Sequence, residues 1–392
     1  MRRITFSALV VLLSTSLHAP SAKAQSISNP LRPRAAELNA AAGDTSADPG
    51  KIDESLSPAM TRLDVQRALK KVADWSLQHS QRQFTQDWTY VPLYNGLLAT
   101  SEATGDPSYH NAVLHMAESF HWQLLPGRYD HADDQALGQI YEALYQEKPD
   151  AVRIAAVKEN FAQLLARRDD PQKDLWWWCD ALYMAPPSLG KMTQLTGDHR
   201  YVDFMDHEID LTTAHLYATK EDLYFRDPTF LQKTEQNGDP LFWSRGNGWV
   251  LAGTAHLLST MSKNDPLRPK YEKRFRAMAQ RIASLQPADG LWRVGLLDPD
   301  AYPQGEVSGT GLFTYAMAWG VNQKLLDRST FEPVIKKAWA GMLRHVYQDG
   351  RLGNIQPIGA APGVFQPGSS YVYGVGSFLL AGSEIEKLVG RP

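Results

Sequence analysis

The chain has 392 residues, a formal net charge of −3 at pH 7, 10% aromatic residues and 21% charged residues. This balance excludes a globally disordered chain and, without a long basic run, an electrostatic binder of nucleic acid. The one cysteine, Cys179, excludes an intrachain disulfide framework and a multi-cysteine zinc site.

The first 24 residues have the pattern of a secretory signal peptide. A positive start, Met1 to Arg3, precedes an uncharged and mostly apolar stretch at 4–17, and Ala22 to Ala24 fit the small-x-small cleavage pattern. The stretch is shorter than the roughly twenty apolar residues of a membrane-spanning helix. We therefore predict cleavage after Ala24 and export to a bacterial periplasm or outside the cell, with no membrane attachment afterwards. Residues 25–58, rich in Ala, Ser, Pro, Asp and Gly, are predicted to be a flexible linker.

The rest of the chain, residues 59–392, is predicted to be one helical domain. Apolar residues recur three or four positions apart, which places them on one face of a helix. Short corners such as Thr104-Gly105-Asp106 and Thr196-Gly197-Asp198 join the helices in pairs, and longer loops rich in Gly, Trp, Tyr and Asp separate the pairs. Six helical hairpins favour an all-α repeat fold, and we infer closure into an (α/α)6 barrel with its long loops on one face. The twelve predicted helices are 62–79, 91–103, 108–122, 134–146, 151–168, 181–195, 199–217, 247–262, 267–285, 309–326, 331–347 and 372–388.

The first candidate for chemistry is Asp180, which follows three consecutive tryptophans and precedes a predicted helix. An Asp at that position often caps the helix. Beside indole rings, however, a carboxyl group is desolvated and its pKa rises, which suits a general acid. The flat ring of Trp178 also suits the C–H face of a sugar.

The second candidate is the segment around His131, where Asp133 and Asp134 open a predicted helix. These acids either complement the helix dipole or act with Asp180 on water and a proton. Because no His or Glu follows at a helical ligand spacing, we predict no metal and no other cofactor.

The third candidate is Arg245, which lies among glycines and close to Trp243. It forms either a structural salt bridge in a loop or two parallel hydrogen bonds to a substrate carboxylate.

Three segments in this order resemble glycoside hydrolase family 105 and the related family 88: residues 178–187, 243–249 and 306–313. The resemblance covers roughly residues 62–388. It implies an (α/α)6 barrel and an exo-acting, metal-independent hydrolase of lyase-generated oligosaccharides that end in a 4,5-unsaturated uronic acid. The residues that match family positions are catalytic Asp180, substrate-binding Trp178, Trp243 and Arg245, and a second functional aspartate at Asp133 or Asp134. Arg226 stands where many members have a histidine, and we include it and His131 among the substrate-binding residues.

The implied reaction begins with proton donation from Asp180 to C4, followed by addition of water at C5 and loss of the sugar at C1. Arg245 would bind the C6 carboxylate. The expected substrate is an unsaturated rhamnogalacturonan disaccharide, with ulvan or glycosaminoglycan fragments as alternatives, and we expect a monomer or a weak homodimer. A polysaccharide lyase, a sugar epimerase and a non-catalytic carbohydrate-binding protein are the alternative functions.

Overall fold

A computed structural model of the chain describes residues 49–168 and 170–390. The predicted signal peptide, residues 1–24, and residues 25–48 of the predicted linker lie outside the described residues. Within the described ranges, no helix is both long enough and apolar enough to cross a membrane.

The described residues form fourteen α-helices and one short antiparallel ribbon, in which β1 (Tyr217–Ala218) pairs with β2 (Leu223–Tyr224). All twelve predicted helices are present, although two of them are divided. The helices are α1 (Arg62–Ser80), α2 (Val91–Thr104), α3 (Pro107–Ser119), α4 (Ala132–Gln135), α5 (Gly138–Glu147), α6 (Val152–Leu165), α7 (Ala181–Met184), α8 (Pro186–Thr196), α9 (Arg200–Leu216), α10 (Ser244–Thr260), α11 (Arg268–Ser284), α12 (Val307–Asn322), α13 (Arg328–Leu343) and α14 (Val372–Val389).

The two divided helices each begin with a single turn. The predicted helix 134–146 becomes α4 and α5, and the predicted helix 181–195 becomes α7 and α8. The second break lies at Ala185, because Pro186 and Pro187 lack the backbone N–H groups that would continue α7.

Six helices form a closed inner ring. Each of α2, α5, α8, α10 and α12 contacts the next inner helix in the chain, and α14 closes the ring by contacting both α12 and α2. The helices α1, α3, α6, α9, α11 and α13 pack outside this ring against the inner helices. The inner helix α12 is buried along almost its whole length. The fold is therefore the predicted all-α (α/α)6 barrel of six helical hairpins.

The short corners have the geometry that their sequences predict. Gly105 and Gly197 end α2 and α8 in left-handed backbone conformations, with φ values of 70° and 74°. The aspartate that follows each glycine accepts a hydrogen bond from a backbone N–H at the start of the next helix: Asp106 from Ser108 at 3.1 Å and Asp198 from Arg200 at 3.0 Å.

The prediction of a flexible linker as far as residue 58 is wrong at its C-terminal end. Ile52 forms an antiparallel bridge with Tyr347, and Asp53 forms a 2.7 Å ion pair with Lys71. Leu56 is buried in the core. These contacts attach residues 52–56 to the barrel, so the ordered domain begins before α1.

The long loops that lead into the inner helices contact one another at one end of the barrel, which we call the loop face. The Cys179 N–H group donates to the Arg226 carbonyl at 2.8 Å, and the Val307 N–H group donates to the Asn354 carbonyl at 2.9 Å. Trp243 also pairs with Gly295 across two loops. Residues far apart in the sequence therefore meet at the N-terminal ends of the inner helices.

Candidate active site

Asp180 lies on the loop face directly before α7, and only 7% of its surface is exposed. Its side chain makes no capping hydrogen bond to the amides of α7, so it is not the helix cap that its position suggested. The Arg226 Nε atom lies 3.6 Å from Asp180 Oδ2, and the Cys179 thiol lies 3.5 Å from the same oxygen. Burial raises the pKa of Asp180, and the positive charges of Arg226 and Arg245 partly oppose this rise.

The adjacent aspartates 133 and 134 have different surroundings. The Arg128 guanidinium donates two hydrogen bonds to the Asp134 carboxylate, at 2.9 and 2.8 Å. Burial raises the pKa of Asp133 to about 7, and the negative charge of Asp180 adds to this rise. The fold therefore brings Asp133 into the electrostatic environment of Asp180, whereas Asp134 is held by Arg128.

The three consecutive tryptophans occupy three different environments. Trp176 is fully buried and packs edge-on against Phe204, whereas Trp177 is 46% exposed. Trp178 is buried, and its ring centroid lies 4.6 Å from that of His131. His131 Nδ1 also accepts a hydrogen bond from the backbone N–H of Asp133 at 3.3 Å. His131 therefore contacts both the Trp178 ring and the backbone of Asp133.

Arg226 reaches the site from the segment that follows β2. Its Nη1 atom donates to Asp227 Oδ2 at 2.6 Å, and its guanidinium carbon lies 5.6 Å from the centre of the Trp177 ring. The Arg226 Nε atom is buried and makes no hydrogen bond to any described residue. Arg226 therefore contributes a positive charge between Asp180 and the exposed indole of Trp177.

Arg245 does not lie in a loop, because α10 begins at Ser244 and includes it in the first turn. Its guanidinium carbon lies 4.6 Å from the Trp243 ring and 4.9 Å from the Tyr373 ring. Its two terminal nitrogens donate to the carbonyls of Gln356 and Pro357, both at 2.8 Å. These two hydrogen bonds attach the loop before α14 to Arg245, which is only 1% exposed. Of the two roles considered from the sequence, the structural one is visible here, although through carbonyls in place of a salt bridge, and binding of a substrate carboxylate stays a prediction.

The site also contains residues that the sequence analysis did not select. Arg128 holds Asp134, the Gln356 side chain accepts a hydrogen bond from Trp243 Nε1 at 2.9 Å, and Tyr373 covers Arg245. Tyr373 lies where a long loop meets the start of a helix on the loop face, as Trp243 and Asp180 do. That shared position in the repeat is the signal that could have found it.

Three or more His, Cys, Asp or Glu side chains do not come together in a metal-binding arrangement anywhere in residues 49–168 or 170–390. The central feature is instead a pair of carboxyl groups with raised pKa values. Because the charges of the two groups repel each other, the pair can hold one proton near neutral pH while the other carboxyl is ionised. Such a pair can perform general acid and base catalysis.

Comparison with known proteins shows the family of the chain. Residues 62–389 match Glycosyl Hydrolase Family 88. A protein of Formosa agariphila named unsaturated 3S-rhamnoglycuronyl hydrolase is 39% identical over 349 residues, which cover 84% of this chain and 92% of the relative.

Two solved structures share the fold over most of their length. One, described as a polysaccharide lyase, has a TM-score of 0.80 and 30% identity, and the match covers 84% of this chain and 99% of that one. The other, a glycosyl hydrolase family 88 protein of Bacteroides vulgatus, has a TM-score of 0.79 and 30% identity, and the match covers 83% of this chain and 98% of that one. A structure described as a possible member of family 105 shares the fold as well, with a TM-score of 0.70 and 20% identity. The match to family 88 confirms the predicted family resemblance. The chain belongs to Glycosyl Hydrolase Family 88 and is a glycoside hydrolase.

Proposed function

We propose that this glycoside hydrolase removes a terminal 4,5-unsaturated uronic acid from lyase-generated oligosaccharides by protonating and hydrating the C4–C5 double bond. The observation that carries the proposal is the buried Asp180 carboxyl, which makes no capping bond and has a raised pKa, and whose negative charge helps to raise the pKa of Asp133 to about 7. The name of the Formosa relative supports a uronic acid joined to rhamnose as the substrate class. An unsaturated rhamnogalacturonan disaccharide remains the first substrate to test, followed by ulvan and glycosaminoglycan fragments.

In the proposed reaction, protonated Asp180 donates its proton to C4, and positive charge develops at C5 and the ring oxygen. Water then adds at C5 and gives up a proton to a carboxylate of the Asp180–Asp133 pair. The resulting hemiketal opens to a C5 ketone as the bond from C5 to the ring oxygen breaks. C1 is then a hemiacetal, which releases the second sugar as an alcohol and leaves an aldehyde. One molecule of water is consumed, and the acid is regenerated.

The two arginines are given different roles. After Asp180 has lost its proton, the positive charges of Arg226 and Arg245 stabilise the carboxylate that remains. Because Arg245 is only 1% exposed and already donates to two carbonyls, we assign contact with an anionic group of the substrate to Arg226, whose side chain is 18% exposed. Trp178, Trp243 and His131 would shape the sugar pocket, with the Trp178 and His131 rings in contact at a tilt of 34°.

The experiment follows the ultraviolet absorbance of purified protein with an unsaturated rhamnogalacturonan disaccharide. Loss of the conjugated double bond lowers the absorbance, and chromatography should show one free sugar for each double bond lost. A polysaccharide lyase is the second candidate, because one solved structure at 30% identity is described as such. A lyase would raise the absorbance of an intact polysaccharide. Unchanged absorbance with both disaccharides and polysaccharides would contradict the proposal and leave an epimerase or a carbohydrate-binding protein.

Export to a periplasm or outside the cell is also a proposal, supported by the signal-peptide pattern of residues 1–24. Mass spectrometry of the protein from the exported fraction should find an N-terminus at Gln25. An intact N-terminus on the active protein would contradict this proposal. For the purified protein we expect a monomer or a weak homodimer by light scattering.

A further inference from the structure

We infer that Gln139 is a positioning residue for Asp180, because its side-chain amide fixes the turn of backbone that carries this acid. The inference rests on the proposed catalytic role of Asp180. It concerns a residue of α5 that lies between the catalytic turn and the interior of the barrel.

The turn after Asp180 needs hydrogen-bond donors from outside its own helix. In a continuous helix, the backbone N–H of residue 187 would bond to the carbonyl of Tyr183, but Pro187 has no N–H group. The N–H of Ser188 bonds instead to the Ala185 carbonyl. The carbonyls of Tyr183 and Met184 therefore lack their usual helical partners in a buried region, where an unpaired carbonyl is costly.

Gln139 supplies the missing donors. Its Nε2 atom donates to the Tyr183 carbonyl at 2.8 Å and to the Met184 carbonyl at 2.9 Å. Its Oε1 atom accepts a hydrogen bond from Asn95 Nδ2 at 3.1 Å. Because both ends of the amide are engaged, a flipped amide would place an oxygen against two carbonyls.

The other side of the turn is fixed by a close backbone approach. A Cβ atom at Gly253 of α10 would lie 2.2 Å from the Leu182 carbonyl oxygen, so only glycine allows this contact. The turn is thus held between α10 and Gln139. Within it, the Tyr183 N–H group donates to the Asp180 carbonyl at 3.0 Å, which connects the anchored carbonyls to the acid. A displacement of a catalytic group by about 1 Å can reduce the rate about 100-fold.

The side of Gln139 that faces away from this turn has free space. Gln139 and Asn95 line a cavity of about 130 Å³ with Glu142, Lys191 and His256. A leucine of similar volume at position 139 therefore removes the amide without overpacking the barrel.

The experiment compares Gln139→Leu with Gln286→Leu as the matched control. Gln286 also donates to two carbonyls through Nε2, to Gly290 at 3.2 Å and to Val334 at 2.9 Å, but it lies beyond the end of α11. We expect Gln139→Leu to lower kcat about 10- to 100-fold with a smaller change in KM, and to shift the pH profile of kcat. Gln286→Leu should lower only Tm. Wild-type kcat and an unchanged pH profile in Gln139→Leu would overturn the inference.

A second variant, Gln139→Glu, keeps the size of the side chain. A protonated glutamic acid can donate one hydrogen bond to the turn, whereas an ionised one can donate none. The ratio of its kcat to that of the wild type should therefore increase as the pH falls. A ratio that does not depend on pH would contradict the inference, and this test remains available if Gln139→Leu does not fold.

A measurement without substrate separates this inference from the proposed function. Carbon-13 NMR of the Asp180 carboxyl should show a different pKa in Gln139→Leu than in the wild type and in Gln286→Leu. If the wild type failed to hydrolyse every unsaturated disaccharide while this difference was observed, the function would be wrong and the positioning role would stand. An identical Asp180 pKa in all three proteins would count against the positioning role.

Discussion

Asp180 and Glu306 are both buried acids that directly precede a helix on the loop face, yet they have opposite surroundings. Glu306 precedes α12, and its carboxylate accepts hydrogen bonds from the backbone N–H groups of Ser308 at 2.9 Å and Gly309 at 2.7 Å. It also accepts bonds from the Ser308 hydroxyl at 2.6 Å and from the Gln356 N–H at 3.0 Å. Asp180 makes no capping bond to its helix, and the nearest guanidinium nitrogen is 3.6 Å away.

The difference separates a structural acid from a chemical one. Four donors hold the Glu306 carboxyl group and make it the joint between α12 and the loop that contains Gln356. At Asp180, burial with few donors favours the protonated form. A position before a helix N-terminus therefore does not distinguish the proposed catalytic acid, Asp180, from Glu306. The number of hydrogen bonds that each carboxyl group accepts does.

The most direct test of the difference between Asp180 and Glu306 is the substitution Asp180→Asn. We expect kcat to fall about 1,000-fold, since a positioned general acid contributes roughly 100- to 10,000-fold. Tm should stay the same or rise, because the variant removes a poorly solvated acid. Absorbance assays and calorimetry on the same preparation measure both. Undiminished turnover would remove Asp180 from the mechanism.

Glu306→Gln should show the reverse pattern. The new NH2 group would face at least one of the donors that Glu306 now satisfies, so we expect a loss of about 3 kcal/mol in the free energy of unfolding. Urea denaturation measures this loss. A variant that is as stable as the wild type but has lost its activity would show that Glu306 has a chemical role. The proposed difference between a structural Glu306 and a catalytic Asp180 would then be wrong.

Much of the fold could be predicted from the sequence, because the spacing of apolar residues in a helix and the residues of a short corner are local features. The apolar periodicity predicted all twelve long helices, and the Thr-Gly-Asp corners predicted how they pair. The break at Ala185 could also have been read from Pro186 and Pro187. What joins the six hairpins into a ring is a set of contacts between distant segments, so closure could only be inferred.

The site was less predictable because its properties depend on long-range partners. Asp133 and Asp134 are adjacent, and what distinguishes them comes from other segments: Arg128 holds Asp134, and the charge of Asp180 acts on Asp133. The carbonyls that engage Arg245 come from residues more than one hundred positions later in the chain. The sequence could identify Arg245 as unusual, but it could not show that its donors are already engaged.

Asp133 and Asp134 allow the same comparison, between an acid with a proposed catalytic role and an acid with a structural one, within the single turn α4. Asp133→Asn removes a negative charge near Asp180, and because their repulsion is mutual, Asp180 should ionise at a lower pH. We expect kcat to fall about 10-fold at neutral pH, with its alkaline limb moved to lower pH. A full pH profile of kcat measures both effects.

Asp134→Asn is the matched control for that experiment. It leaves the Arg128 guanidinium without its carboxylate, so it should reduce stability by about 1 to 3 kcal/mol and shift the pH profile less than Asp133→Asn does. If Asp134→Asn gave the larger shift in the pH profile, Asp134 and not Asp133 would be the second functional aspartate.

Glu142 tests whether burial alone makes an acid catalytic. It lies in the interior of the barrel on α5, where burial raises its pKa well above the ordinary value of 4.5 and the Ser188 hydroxyl donates to its Oε1 atom at 2.6 Å. Below pH 4.5 the group is neutral in both the folded and the unfolded chain. As the pH rises above 4.5, the unfolded chain releases this proton while the folded chain keeps it, so Glu142 lowers stability by up to about 1.4 kcal/mol per pH unit.

Glu142→Gln keeps the oxygen that accepts from Ser188 and removes the titration. The variant should therefore match the wild type in Tm at low pH and become the more stable protein as the pH rises, with kcat unchanged. Calorimetry of both proteins at several pH values between 4 and 8 measures the difference. A constant difference in Tm would show that Glu142 does not retain its proton on folding. A large loss of kcat would show that burial, without the charged partners of Asp180, is enough to make an acid essential.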